Sequence, residues 1–262
     1  DIDNRRASLD TMEAMQAGSR LHRKIQKKMG STYHAEVPLN IIIEEENYEL
    51  GIWGRADGII IEETVTIDEI KGVYLSLDLL EEPVKVHLAQ AKCYAYIYGI
   101  QNDLQKINVQ MTYGNLDTGD LKYFSYEYSM QQLQEWFSDL ILKYKKWADF
   151  QYEWRKKRQA SIKELAFPFP YREGQKELAA GVYRTIARKK NLFIQAPTGV
   201  GKTISTLYPA IKAVGEGLGD KIFYLTAKTV TANVAKETLG ILCEKGYRAK
   251  SCLLYTSDAA DE

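Results

Sequence analysis

A glycine-rich run, Ala196-Pro-Thr-Gly-Val-Gly-Lys-Thr203, constrains the fold of this chain more than any other feature. A short apolar segment, 191–195, precedes it, and an apolar pattern with helical spacing, 204–214, follows it. Strand, glycine-rich loop and helix in this order form a cradle in which backbone N–H groups and a helix N-terminus bind phosphate. The order predicts a parallel α/β sheet with a nucleotide site; a chance glycine turn is the alternative.

Each residue type in this loop suits a particular part of triphosphate binding. Gly199 and Gly201 allow close approach of the backbone, Lys202 reaches the β- and γ-phosphates, and the Thr203 hydroxyl binds the Mg²⁺ of ATP. Ala196 stands where the general motif has glycine. We therefore predict an ATP site that includes Thr198, Gly199, Val200, Gly201, Lys202 and Thr203.

Composition excludes several classes of protein. The 262 residues carry 35 basic and 35 acidic side chains, so a simple polycationic DNA-coating protein is excluded. No run of about 18 apolar residues occurs, which predicts no membrane span. Three scattered cysteines suit neither a disulfide framework nor a four-thiolate metal site. The chain begins with Asp1 and shows no signal peptide, so we expect a fragment of a cytoplasmic protein.

Residues 57–71 alternate in polarity as an antiparallel hairpin does, inside a run of predicted strands from about 35 to 72. The register that sets Ile59 opposite Ile67 also sets two carboxylates, Asp57 and Glu69, opposite each other, with Cβ atoms about 5 Å apart. Two anions at the end of a buried face repel each other unless a cation lies between them.

Lys71 lies two residues beyond Glu69 and points to the same place, whereas Asp68 has the opposite parity and should point away. Two carboxylates and a lysine around a divalent metal suit phosphodiester hydrolysis, because the metal polarises the phosphate and activates a bound water. The lysine orients that water or stabilises developing charge. A surface hairpin with a solvated Glu–Lys pair is the alternative.

Four motifs occur in order along this part of the chain: Gly18-Ser-Arg-Leu-His22, Gly54-Arg-Ala-Asp57-Gly58, Asp68-Glu-Ile-Lys71 and Gln90-Ala-Lys-Cys-Tyr94. The series resembles the PD-(D/E)XK nucleases of the RecB-type exonuclease family, over roughly residues 10–128. The resemblance implies an α/β fold with a restriction-endonuclease-like mixed sheet and flanking helices. It also implies DNA cleavage with Mg²⁺ or Mn²⁺.

By this resemblance the metal ligands are His22, Asp57, Glu69 and the Ile70 carbonyl, the catalytic residues are Lys71, Asp57 and Glu69, and the DNA contacts are Gln90 and Tyr94. Taken alone, His22 has the alternative role of a partly buried helix histidine. Gln90 and Tyr94 have the alternative role of an ordinary polar edge on a core helix. Cys93 is the only cysteine before residue 165, so the four-cysteine iron–sulfur cluster of some family members is not expected here.

Two further motifs flank the glycine-rich loop, Phe169-Pro-Tyr-Arg-Glu-Gly-Gln175 before it and Lys221-Ile-Phe-Tyr-Leu-Thr-Ala-Lys-Thr229 after it. With the loop they resemble the start of superfamily 2 helicases of the DinG/XPD type, over residues 168–251. The resemblance implies that Arg172 and Gln175 contact adenine and that Thr226, Lys228 and Thr229 contact DNA phosphates. A helix N-cap is the alternative or additional role of 226–229.

These observations predict four segments. Residues 1–128 form a nuclease-like domain, and 129–167 form a connecting helix with a Pro-rich boundary. Residues 168–251 form the N-terminal part of a truncated RecA-like P-loop α/β domain, the first of a helicase. We interpret 252–262 as an artefact, because Cys252–Glu262 resembles a translated sequencing adapter.

The predicted function is that of an ATP-dependent DNA helicase joined to a metal-dependent DNA nuclease, acting in DNA repair or processing. The alternative is a helicase whose nuclease-fold domain only grips DNA. No DEAH-like motif occurs in the 262 residues, so we expect an incomplete ATPase site and exposed apolar surface after residue 168. An iron–sulfur cluster is expected only downstream of this sequence.

Overall fold

A computed structural model of the chain describes residues 9–197, 199–248 and 250–254. The chain divides into two compact units between Ala148 and Asp149. This division falls inside a long helix, α3 (Met130–Glu164), within the range 129–167 that the sequence set apart as a connection.

The first unit begins with a helix that precedes a run of strands. Its elements are α1 (Leu9–Gln26), β1 (Tyr33–Glu44), β2 (Glu49–Ile60), β3 (Thr66–Val73), a short 3₁₀ helix (Leu77–Leu79), α2 (Lys85–Gln101), β4 (Lys106–Asn115), β5 (Leu121–Ser129) and the first half of α3. The run of strands predicted from about 35 to 72 is confirmed as β1, β2 and β3.

The five strands form one sheet in the order β1-β2-β3-β4-β5. Three neighbouring pairs are antiparallel, and β3 pairs with β4 in parallel. A parallel neighbour requires a crossover, which α2 supplies between these two strands. The prediction of a mixed sheet with flanking helices is therefore confirmed.

Helices pack against both faces of this sheet. On one face, Ala91 and Ala95 of α2 lie in the buried cluster that contains Ile59 and Ile67. On the other face, the α1 residues Leu21 and Ile25 pack against Ile70, whose parity in β3 is opposite to that of Ile67. The strand β3 is thus buried on both faces, and its polar residues are positioned by that packing.

The second unit holds the last part of α3 and three more helices, α4 (Gln175–Ala187), α5 (Lys202–Gly215) and α6 (Thr229–Glu244). Its buried cluster joins Ile162 of α3 to Ile211 of α5 and Leu242 of α6. The end of α3 is capped from α5, because Lys212 Nζ donates to the Ile162 carbonyl at 2.8 Å. The proline-rich segment that follows α3 is not helical, as predicted.

The parallel sheet predicted for the second unit is not formed. The sequence predicted strands at 191–195 and from residue 221, and the structure assigns no strand to either segment. A strand requires a hydrogen-bonded neighbour, and all strands of the described residues lie in the first unit. The apolar side chains of these segments are open to solvent, with Phe193 96% and Leu225 88% exposed. The predicted exposed apolar surface after residue 168 is therefore confirmed.

None of the helices in the described part of the chain is long and apolar enough to cross a membrane. Cys93 is partly buried in α2, whereas Cys243 and Cys252 are exposed, and all three are free thiols.

Candidate functional sites

Asp57 lies near the end of β2 and bonds to two other elements. One carboxylate oxygen accepts the backbone N–H of Ile70 in β3 at 2.8 Å. The other lies 3.3 Å from Nδ1 of His22 in α1. The N–H and C=O of a strand residue point to the same side, so the Ile70 carbonyl is directed toward β2 as well. These three residues, which the sequence assigned to a metal, are brought together.

Glu69 and Lys71 form a chain of contacts that continues into α2. Lys71 Nζ bonds to Oε1 of Glu69 at 2.8 Å and to Oε1 of Gln90 at 3.2 Å. The amide of Gln90 donates to the Tyr94 hydroxyl at 3.1 Å, one helical turn further on. Four residues that were predicted from separate motifs therefore form one hydrogen-bonded series.

The predicted register of the hairpin is confirmed where the strands pair, since Ile59 lies opposite Ile67. Asp68 points away from the site, as predicted, and is fully buried. Its carboxylate accepts bonds from the Tyr33 hydroxyl at 3.0 Å and the Thr112 hydroxyl at 2.5 Å. This acid ties β3 to β4 and, across β2, to β1, on the face opposite Glu69 and Lys71.

Gly54 explains how Tyr94 reaches this region. A Cβ atom on Gly54 would lie 2.4 Å from the Tyr94 ring, so any larger residue would displace the tyrosine. The two motifs that carry these residues are therefore physically coupled across β2 and α2.

Burial sets the electrostatics of the site. The Glu69 side chain is 1% exposed, and burial together with the Asp57 charge raises the pKa of its carboxyl to about 7, against the opposing effect of Lys71. The hydrogen bond that the His22 imidazole donates to the Asp57 carboxylate raises the pKa of His22. One oxygen of Glu69, Oε2, has no hydrogen-bond partner among the described residues. The arrangement concentrates negative charge and leaves a buried acceptor oxygen free.

Sequence reasoning missed one acidic residue of this region. Glu36 in β1 offers an oxygen that lies, with ligand atoms of His22 and Asp57, in a set whose members are all within 4.8 Å of one another. Its backbone is left-handed, with φ 57°, which no sequence signal indicates for a glutamate in a strand.

Two cavities, of about 570 and 290 Å³, lie near the start of α3 and include no predicted site residue.

In the second unit the glycine-rich loop enters α5 through two left-handed glycines, Gly199 at φ 89° and Gly201 at φ 73°. Lys202 begins the helix, and its Nζ donates to the carbonyls of Ala196 at 2.9 Å and Pro197 at 2.8 Å. Thr203 follows in the first turn, and Val200 lies between the two glycines. Thr198 lies outside the described residues.

The residues predicted to contact adenine bind the same loop. The Arg172 guanidinium donates to the Gly199 carbonyl, and the buried Gln175 side chain donates to the Val200 carbonyl at 3.1 Å. The backbone N–H of Arg172 also bonds to Gln175 Oε1 at 3.0 Å. These two residues therefore hold the loop backbone in addition to any contact with a nucleotide.

The three residues predicted to contact DNA phosphates lie at and before the start of α6. The helix begins at Thr229 with Lys228 as its N-cap residue, and no side chain caps it. Thr226 Oγ1 accepts the Lys228 N–H at 3.3 Å. A helix does start in this segment, as predicted, but no side chain of the segment caps it, and the DNA contacts stay a prediction.

Comparison with known proteins adds a family match to this geometry. Residues 174–262 match the model of the DEAD/DEAH box helicase family. A stretch of 51 residues is 51% identical to "Probable ATP-dependent helicase MJ0942" of Methanocaldococcus jannaschii, covering 19% of this chain and 8% of that relative. A solved structure described as "Crystal structure of SSO0001" aligns with a TM-score of 0.34 at 21% identity, over 48% of this chain and 58% of that one.

Proposed function

We propose that this chain belongs to an ATP-dependent DNA helicase of the DinG/XPD type that carries a metal-dependent DNA nuclease domain. The observation that supports the nuclease best is a pair of contact series that meet on β3. One runs from His22 through Asp57 to the Ile70 N–H, and the other links Glu69 and Lys71 to Gln90 and Tyr94. Such a pairing of activities suits DNA repair or processing. The substrate class is DNA with free ends or single strands.

The donor set fits a hard divalent cation, Mg²⁺ or Mn²⁺, because it offers carboxylate oxygens, a carbonyl and an imidazole. When bound, the cation would polarise a phosphodiester and lower the pKa of an attacking water. Asp57 and Glu69 would hold it, together with His22 and the Ile70 carbonyl.

Lys71 would stabilise negative charge on the scissile phosphate, and the contacts of its ammonium with Glu69 and Gln90 support this role. Gln90 fixes the direction of that ammonium and, with Tyr94, presents an amide and a hydroxyl along one face of α2. Those two groups would bind the DNA backbone next to the reacting phosphate.

For the helicase part, the support is the left-handed glycine pair, the lysine at the start of α5 and the two side chains that hold the loop. A loop of this shape presents backbone N–H groups to a triphosphate. Lys202 would exchange its two loop carbonyls for the β- and γ-phosphates, and Thr203 would hold Mg²⁺. The match of residues 174–262 to the helicase family supports the same assignment.

The test is cleavage of end-labelled single-stranded DNA by the 262-residue chain with Mn²⁺ and no ATP. We expect cutting by the wild type and by the control Asp103→Asn, and none by Asp57→Asn. Equal digestion by both variants would overturn the site assignment. DNA binding without cutting, unaffected by removal of metal, would leave the domain as a gripping module.

A further inference from the structure

The structure assigns a further residue to the cation, Glu36, and we propose that His22, Glu36 and Asp57 bind one divalent ion together. The proposal deepens the nuclease function proposed above and rests on it. None of the four sequence motifs includes Glu36. Only the folded structure brings its carboxylate close to His22 and Asp57.

The spacing of the three side chains fits a shared ion. One ligand atom from each lies within 4.8 Å of the others. Oxygen and nitrogen ligands lie about 2.0–2.6 Å from a divalent cation, so two ligands of one ion are at most about 4–5 Å apart. The set is therefore compact enough for all three to bind the same ion directly.

The strand register explains why Glu36 reaches this position. Ala35 lies opposite Gly58 and Val37 opposite Ala56, which places Glu36 opposite Asp57. The pairing of β2 with β3 ends at Gly58 opposite Asp68, and the same register extended by one residue sets Asp57 opposite Glu69. Three carboxylates thus follow one another across β1, β2 and β3, and like charges in directly opposed positions destabilise a sheet unless a cation separates them.

A second observation points to an ion at this row. Glu69 is 1% exposed, and its Oε2 atom has no hydrogen-bond partner among the described residues. Asp57 accepts the backbone N–H of Ile70 at 2.8 Å, and Ile70 directly follows Glu69, so the buried carboxylate is next to this contact along β3. A buried acceptor without a partner is costly, and a cation between the strands would remove that cost.

Two neighbouring side chains donate hydrogen bonds to the Glu36 carboxylate, as residues around a metal centre often do to the side chains that bind the metal. Gln26 donates to one carboxylate oxygen and Arg55 to the other, each at 3.2 Å. A carboxylate oxygen accepts more than one bond, so both contacts leave room for an ion. Hydrogen bonds of this kind fix the direction of a ligating carboxylate.

The test is a titration of the nucleotide-free 262-residue chain with Mn²⁺. The electron paramagnetic resonance signal of the free ion measures how much of it remains unbound. Glu36→Gln should weaken binding by about tenfold or more, since even the loss of an outer partner costs that much. The control Glu44→Gln removes one charge from the exposed end of the same strand and should bind as the wild type does.

A second variant separates ligation from a structural role. Glu36 has φ 57°, a conformation that glycine adopts freely, so Glu36→Gly should raise the metal-free melting temperature. The same variant should lose the rise in melting temperature that Mn²⁺ gives the wild type. A residue that only stabilised the fold would not show these opposite effects.

The outcomes distinguish this proposal from the nuclease function. If the wild type binds Mn²⁺ and cuts DNA while Glu36→Gln binds the ion equally well, Glu36 is not a ligand and the nuclease stands. Weakening confined to Glu69→Gln would likewise exclude Glu36 as a ligand and leave the nuclease in place. If the wild type binds no Mn²⁺, both proposals fail.

Discussion

The two units place their candidate sites by different means. In the first unit, the site residues come from α1, β2, β3 and α2, and only the sheet register and helix packing bring them together. In the second unit, one continuous loop carries most of the site, and it is held by Arg172, just before α4, and by Gln175, the first residue of α4. The first site depends on tertiary structure, whereas the second depends on local sequence.

The sites also differ in their relation to solvent. Glu69 is buried in the sheet, where desolvation and the Asp57 charge raise the pKa of its carboxyl to about 7. Lys202 is exposed, and its ammonium donates hydrogen bonds to two carbonyls of its own loop. The proposed metal site is thus partly enclosed before any ion binds, whereas the proposed phosphate site would first give up bonds within its own loop.

The largest expected difference between the units is in amide hydrogen exchange. Amides of β3 and β4 lie in a paired, buried ladder, whereas 191–195 and 221–226 have no partner strand in the described residues. We expect exchange in the latter segments to be faster by on the order of a thousandfold or more. Exchange measured by mass spectrometry checks this, and equal protection would show that both segments are paired in solution.

The next largest effect is expected from Lys71→Met. Cleavage should fall by about a hundredfold or more, because one preorganised charge at the reacting phosphate is lost. Mn²⁺ binding should not weaken, since the change removes a positive charge that repels the ion. Lys106→Met, which alters an exposed ion pair on β4, is the control. Parallel loss of ion binding and cleavage would show that Lys71 only supports the fold.

A smaller effect is expected from Gly54→Ala. The added methyl group would lie 2.4 Å from the Tyr94 ring, so the ring must move and its bond to Gln90 is strained. We expect cleavage to fall by about tenfold, because misplaced positioning groups cost rate. Gly18→Ala is the matched control, since a methyl group there meets no atom within 4 Å. Unchanged kinetics in both variants would remove Tyr94 from the site.

The smallest effect is expected in ATP hydrolysis by the 262-residue chain. Catalysis of phosphoryl transfer comes from positioning and electrostatics, and the loop alone supplies only part of both. Phosphate release with and without single-stranded DNA should be equal in the wild type and Lys202→Ala. Hydrolysis that DNA stimulates and Lys202→Ala abolishes would require a complete site within these residues.

Most of the first unit could be predicted from its sequence. Alternation through residues 57–71 predicted the pairing of Ile59 with Ile67. Parity also predicted that Asp68 turns away from the site. These features depend on local spacing, which the sequence carries directly.

The rest depends on pairings that local patterns do not specify. Glu36 joins the site only through the register of β1 with β2 and a left-handed backbone. The segments 191–195 and 221–226 have the apolar content of strands, yet a strand forms only against a partner. Their composition therefore predicted the wrong secondary structure for the described residues.

The independence of the two sites within one chain is best tested by a crossed pair of variants. DNA cleavage with Mn²⁺ and binding of a fluorescent ATP analogue are measured on Asp57→Asn and Lys202→Ala. We expect Asp57→Asn to lose cleavage and keep nucleotide binding, and Lys202→Ala to do the reverse. Loss of both activities in either variant, or cleavage that requires Lys202, would contradict the independence of the sites.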